Sequence, residues 1–153
     1  PWYEQAAEGG LADAQYAMAN IHADAKGINF GDDKKAIGWL QKAAEGGFDT
    51  AQLELGVWLA NGRGTAKNPQ QAYRWMQRAA AQGNVIAQNR LARMHAYGIG
   101  TTRDIIRAGA WHIISRRAGF SDSEMDRFFQ SLSAIDKKRA IEAANQLDRR
   151  IAS

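Results

Sequence analysis

The chain has no cysteine, which excludes a disulfide framework and a thiolate-held metal while leaving both reducing and oxidising compartments open. No stretch approaches the ~18 to 20 unbroken apolar residues of a membrane-spanning helix, and no charged-then-apolar leader precedes the first pattern. Pro1-Trp2-Tyr3 already reads as the middle of a helical pattern, so the chain is expected to be a fragment whose upstream repeat, and any targeting segment with it, lies before residue 1. The glycine loops at 62–64 and 98–100 lack a phosphate-loop pattern and follow a helical run, not a strand, so they read as helix ends.

What is present is a 153-residue chain, 45% apolar and 24% charged, enough for one soluble domain with a continuous core. The formal charge of +4 is uneven: residues 1–89 carry 8 Lys+Arg against 9 Asp+Glu, and residues 90–153 carry 12 against 7. The basic end suits an acidic partner, yet the charges are sparser than the stripe of a nucleic-acid binder and read first as solvation of helix faces.

Self-similarity decides the architecture. Trp2, Trp39, Trp75 and Trp111 stand 37, 36 and 36 residues apart, and each is followed eight positions later by Gly10, Gly47, Gly83 or Gly119. Between them lies Ala-Ala, at Ala6-Ala7, Ala43-Ala44 and Ala79-Ala80, replaced in the last copy by Ser115-Arg116. Twelve residues after each of the first three tryptophans comes Ala-Gln, at Ala14-Gln15, Ala51-Gln52 and Ala87-Gln88, and the fourth copy has Ser123 there.

Each copy reads as two helices. Ala14, Met18, Ala19 and Ile21, then Ala51, Leu55, Gly56, Trp58 and Leu59, then Ala87, Leu91, Ala92 and Met94 line one face of the first helix. The second helix opens on a capping residue seven positions before its tryptophan, at Asp32, Asn68 or Asp104, with Pro69 in the favoured first-turn place. The tryptophans read as core, and no strand is needed.

This order of landmarks, from Ala-x-x-x-Leu-Gly through Gly-x-Gly and Asp or Asn to Lys-Ala-x-x-Trp and Ala-Ala, resembles the Sel1-like repeat, a relative of the tetratricopeptide repeat. The likeness covers residues 1–120, clearest from Ala51 to Gly83. It departs where the usual tyrosine late in the first helix is His22, Leu59 and His95, and where the loop at 25–32 carries one extra residue. The resemblance implies an all-α fold, a right-handed α-solenoid of about three helix-turn-helix repeats with the first truncated. It further implies a bacterial adaptor that assembles proteins, with periplasmic or exported placement favoured and the cytoplasm open.

After Gly119 the repeat frame is lost, but helices continue. Ser121-Asp122-Ser123-Glu124 has the form of a capping box, with Met125, Phe128, Phe129 and Leu132 following at helical spacing. A last helix from about Asp136 places Ala140, Ile141, Ala144, Leu147 and Ile151 on one face. A solenoid end must be covered, so residues 121–153 are expected to form a C-terminal helical cap.

Catalytic and metal chemistry find little to build on. His22 and His95, two repeats apart, are expected ~20 Å from each other given the 8–10 Å spacing of packed helices, too far to share an ion. Each reads as a half-buried replacement for an aromatic residue. His112 and Ser115 could touch on one helix as base and nucleophile, but nothing nearby completes a triad, because Asp104 is accounted for by capping.

In two-helix solenoids the first helix of each pair lines the concave surface. Elimination of the seam positions leaves Tyr16, Asn20 and Asp24, then Leu53, Val57 and Asn61, then Asn89, Arg93 and Tyr97 as the candidate row for a protein or peptide partner. Aromatic anchors, an apolar floor and backbone-bonding asparagines distinguish it from a Lys/Glu-rich solvated face. No cofactor and no metal are expected. Two alternatives stay open: a cell-wall peptide or β-lactam-binding, enzyme-like member, as the resemblance to cysteine-rich relatives implies, and weak binding of nucleic acid or another acidic partner through the basic end.

Overall fold

In a computed structural model, residues 2–8, 10–23 and 31–152 are described, and the side chains of residues 2, 3, 6, 21–23, 31 and 32 lie outside that description. The described residues form nine α-helices and no strand: α1 (Trp2–Glu8), α2 (Ala12–Ala23), α3 (Gly31–Glu45), α4 (Asp49–Asn61), α5 (Pro69–Ala81), α6 (Val85–Tyr97), α7 (Ile105–Arg117), α8 (Ser123–Gln130) and α9 (Ala134–Ala152). They fall into two compact units, Pro1–Trp75 and Met76–Ser153, whose boundary lies within α5.

The same joint recurs in both units, and it unites two sequence landmarks. Each glutamine of the Ala-Gln pairs is buried, and its side-chain amide donates to the carbonyl of the second alanine in the preceding Ala-Ala pair. Gln15 Nε2 reaches Ala7 O at 3.0 Å, Gln52 reaches Ala44 O at 3.1 Å, and Gln88 reaches Ala80 O at 3.3 Å. Each of these carbonyls also accepts from the N–H of the turn glycine, Gly10, Gly47 or Gly83, so the glutamine fills the second lone pair while pinning the next helix against it. Alanine suits the other side of the bond because the chains approach closely there. Ala43, Ala44, Ala79 and Ala80 are all fully buried.

Between the two partners the chain reverses in a glycine turn. Gly47 and Gly83 take φ of 93° and 92°, and the following N–H groups reach back to close the turn, Phe48 to Ala43 O and Asn84 to Ala79 O, the six-to-one bond of a Schellman ending. The return connection is closed differently. Asn68 N–H donates to Leu59 O and Asp104 N–H to His95 O, so the residue that starts each second helix is tied to the last turn of the first. Asn68 and Asp104 then cap α5 and α7 through the N–H groups of Gln71 and Arg107. Asp32, the remaining expected cap, lies outside the described side chains.

In unit 1, α2 packs on α1 and α3, and α3 packs on α4. The α4 seam is buried as expected at Ala51, Leu55, Gly56, Trp58 and Leu59. Arg63 closes this unit's loop by lying 4.0 Å over the Trp58 ring while pairing with both Asp33 carboxylate oxygens. In unit 2, α6 packs on α7, and α7 on α8 and α9. Trp111 is buried, whereas Trp39 and Trp75 are only half-buried, a correction to the core reading for those two. Lys42 lies over the Trp39 ring at 4.5 Å. His95, expected half-buried, is fully buried, and that burial pushes its pKa below the ordinary histidine value.

The cap corrects three further details. The capping residue of α8 is Asp122, not Ser121: its Oδ1 accepts from Met125 N–H at 3.1 Å, and its carboxylate is also bound by α6. The last helix starts at Ala134, where Ser133 Oγ accepts from Asp136 N–H. Ile141 is exposed, so the buried stripe of α9 is Ala140 and Ala144 with half-buried Leu147 and Ile151. That stripe meets a glycine that sequence reasoning missed. A Cβ at Gly109 would lie 2.8 Å from the Ala140 Cβ, so α9 can seat on α7 only because the fourth copy has glycine where the third has Tyr73.

Asp122 is the anchor of the cap. Asn89 Nδ2 donates to its Oδ2 at 2.8 Å, and Arg93 binds both oxygens at 2.8 and 2.9 Å. Burial pushes the Asp122 carboxyl up, but the hydrogen bonds from Asn89, Arg93 and Met125 N–H, with the Arg93 charge, outweigh it, so its pKa lies below the ordinary carboxylate value. A depressed folded-state pKa means a contribution to stability that is present above the unfolded pKa of ~3.9 and lost as pH falls through the folded value.

Two predictions follow from this geometry. Asp122→Asn keeps a competent cap but removes a bidentate ion pair whose Arg93 side chain is 35% exposed. With that solvent screening it is expected to cost about 1–2 kcal/mol at pH 7 and less as pH falls below the unfolded pKa, measured by urea unfolding at pH 7 and pH 3; an equal cost at both would refute the linkage. Gly64→Ala combines φ of 70° with a Cβ 2.6 Å from the Asp33 carbonyl oxygen, whereas Gly47→Ala, at φ of 93°, meets nothing within 4 Å. Gly47→Ala is expected to cost about 1 kcal/mol of backbone strain and Gly64→Ala clearly more, read as the larger fall in Tm.

Candidate functional site

The first-helix row must be taken unit by unit. In unit 1 it comprises Tyr16 and Asn20 of α2 and Leu53, Val57 and Asn61 of α4. Tyr16 is half-buried, its ring stacked on Phe48 at 5.1 Å and its hydroxyl donating to Glu54 Oε1. Asn20 and Val57 are half-buried and Asn61 is exposed, while Leu53 is buried at 9% exposure. Leu53 therefore belongs to the packed interior and supplies no floor for a partner, which corrects that part of the expectation. Asp24 lies outside the described residues.

In unit 2 the row has intramolecular partners. Asn89 is buried with its amide on Asp122, which corrects its reading as an available surface group. Arg93 holds Asp122 on one side and reaches Glu124 Oε2 at 3.2 Å on the other. The bond to Asp122, followed by the two carboxylate charges, raises its pKa. Tyr97 is half exposed and donates its hydroxyl to Glu124 Oε1; that bond lowers the Glu124 pKa and raises that of Tyr97. Asn89, Arg93 and Tyr97 thus grip the start of α8. The missed signal is the Asp-x-Glu of residues 122–124, since the spacing that suggests a cap also presents two carboxylates to an arginine.

The other place with reactive side chains is a hollow of about 450 Å³ in unit 2, lined by His112, Ile113, Arg116, Arg117, Asp126, Phe129 and Gln130. His112 Nε2 lies 2.8 Å from Asp126 Oδ1, and Arg116 binds the same oxygen. Arg116, foremost, and His112 both hold the Asp126 pKa below the ordinary carboxylate value, against an opposing effect of burial. The carboxylate that partners His112 is therefore Asp126, and Asp104 caps its own helix. Ser115 is buried with its hydroxyl donating to the His112 carbonyl, so it is not oriented toward the imidazole. The second ring nitrogen, Nδ1, is buried away from solvent. His112 Nε2 is thus committed to Asp126, while the Asp126 side chain itself is 35% exposed at the hollow. Among the described residues no group of His, Asp and Glu is arranged to hold a metal, and no helix is long and apolar enough to cross a membrane.

Comparison with known proteins agrees with the repeat. The sequence model of the Sel1 repeat matches residues 2–11, 12–48, 49–84 and 85–120. A protective antigen of uropathogenic Escherichia coli with an SLR fold is 31% identical, with a TM-score of 0.84 over 99% of this chain. The chain spans 32% of that antigen's length. A Sel1 repeat protein from Oxalobacter formigenes is 32% identical over 85% of this chain and 96% of its own, with a TM-score of 0.72. Cysteine-rich protein B of Helicobacter pylori shares the fold at 20% identity and a TM-score of 0.60, over 80% of this chain and 86% of its own. Among curated proteins none matches. Sel1 repeat proteins are generally scaffolds that bind other proteins and are typically not enzymes. With family matches covering residues 2–120 and two relatives above 30% identity, the chain belongs to the Sel1 repeat family.

Proposed function

We propose that the chain is a protein- or peptide-binding adaptor that holds an extended or helical segment of its partner on the first-helix row. The observation that carries this reading is internal. In unit 2, Asn89, Arg93 and Tyr97 already bind a polypeptide segment, residues 122–124 of the cap, through hydrogen bonds to two carboxylates. The same row in unit 1 offers Asn20, Val57 and Asn61, with the Tyr16 ring held in place by Phe48. Asparagine can both donate to and accept from a peptide backbone, and a partly fixed aromatic ring supplies contact area at little entropic cost. Asp24, though undescribed in structure, belongs to the proposed row by its repeat position.

The variants that test it must spare the cap. Arg93 and Tyr97 hold α8, so substituting them would change stability along with any binding. Asn20 and Asn61 are safer, since surface changes away from buried networks usually stay within ~0.5 kcal/mol. Peptides selected against the parent chain from a displayed library are expected to bind Asn20→Asp, Asn61→Asp at least tenfold more weakly, with Tm unchanged. Equal affinity for parent and variant would remove the unit 1 row as the site.

A further inference from the structure

Repeat-equivalent residues line a hollow in each unit, and the two hollows differ in size and charge. In unit 1 the hollow is about 140 Å³, and Gln41, Gln71 and Trp75 are among its lining. Thirty-six residues on in each case, Gln77, Arg107 and Trp111 line a hollow of about 400 Å³ in unit 2. The glutamine and tryptophan are retained, and the second glutamine has become arginine. The additional wall comes from α9, which contributes Ala143, Gln146, Leu147, Arg150 and Ile151. The two hollows share only these three positions, since Ile37, Leu55, Leu59, Gly64 and Thr65 complete the first and have no counterpart in the second. The second, completed by α9, reaches ligand-binding size, with Trp111, Leu147 and Ile151, two guanidinium groups and no carboxylate in its lining.

We infer that this pocket between α5, α7 and α9 binds an apolar group that carries a carboxylate, either an acylated apolar amino acid or the free C-terminal residue of a peptide. The apolar side chain would lie against Trp111, Leu147 and Ile151, and the carboxylate would lie toward Arg107. Arg107 is 61% exposed, and its ion pair with Asp104 across one helical turn is long at 3.6 Å. A pair of that exposure and length is worth little, so a bidentate carboxylate in the pocket would compete well for the guanidinium. Asp104 meanwhile keeps its structural task through its other oxygen, which caps the Arg107 N–H. Arg150 adds a second guanidinium to the pocket lining, and the anion preference rests on Arg107. This site uses different helices from the first-helix row and stands independently of the adaptor reading.

The test is an NMR titration of the isotope-labelled chain with N-acetyl-L-phenylalanine, its primary amide and the peptide acetyl-Ala-Ala-Phe with a free C-terminus. Saturable shifts are expected at the Trp111 indole N–H and at the amides of Gln77, Arg107 and Gln146, with the primary amide binding at least tenfold more weakly. Arg107→Gln, which restores the residue of the unit 1 hollow and so should fold, is expected to lose at least tenfold in affinity for the acid with little change for the amide. Tighter binding of the tripeptide than of the single residue identifies a peptide end as the ligand, and equal or weaker binding identifies the free acid. No saturable shift, shifts centred elsewhere, equal binding of acid and amide, or an unaffected Arg107→Gln variant would each overturn the assignment.

Discussion

The structure depends on one hydrogen bond made three times. A helix that turns back on a neighbour buries its own last carbonyls, each with two lone pairs to satisfy. On Ala7, Ala44 and Ala80 the N–H of the turn glycine, Gly10, Gly47 or Gly83, takes one, and the amide of Gln15, Gln52 or Gln88 from the next helix takes the other. The bond has a fixed length and direction, so it sets where each first helix lies against the second helix before it. The Ala-Ala pair, the glycine at φ near 92° and the buried glutamine are three requirements of one joint. That is why they recur together at a constant period.

Where the joint is absent, something else must fasten the chain. The fourth copy has Ser115-Arg116 in place of Ala-Ala and no Ala-Gln after it. Its glycine turn persists, with Phe120 N–H reaching Ser115 O, but α8 is held by Asp122 in place of a glutamine. A neutral amide bond insensitive to pH has given way to a carboxylate bridging α6 and the first turn of α8. The start of α8 is thus attached through ionisable groups, whereas the glutamine joints are neutral and α9 is seated by the Ala140 and Ala144 stripe. Acid should loosen α8 before it loosens the glutamine joints.

Much of this was legible in the sequence because a repeat offers several independent readings of the same rule. The four tryptophan-to-glycine spacings fix the period, and the α4 and α6 seams follow from that phase; every described member of both is buried. The partner row was less legible. Exposure on a first helix depends on what the following segment covers, and nothing local in Asn89 shows that Asp122 will bury it. Leu53 was misread for a related reason: elimination by helical phase does not tell a buried flank from an open one. The tryptophan positions repeat in sequence while their environments do not, which left Trp39 and Trp75 half-buried and Trp111 in the core.

The information specific to this chain therefore lies in the differences between copies. A residue shared by all copies is explained by the joint and the seam, and it carries no hint of an individual role. A residue that one copy changes needs a separate cause. Gly109 in place of Tyr73 has one, since only a missing side chain lets Ala140 approach within contact. Arg107 in place of Gln71 has no such structural cause: it is exposed, its ion pair is weak, and the capping bond its backbone donates would serve glutamine equally well. Packing explains the first substitution fully and leaves the second unaccounted for. A charge introduced beside the larger hollow of unit 2 is the kind of change that ligand binding, and not folding, would retain.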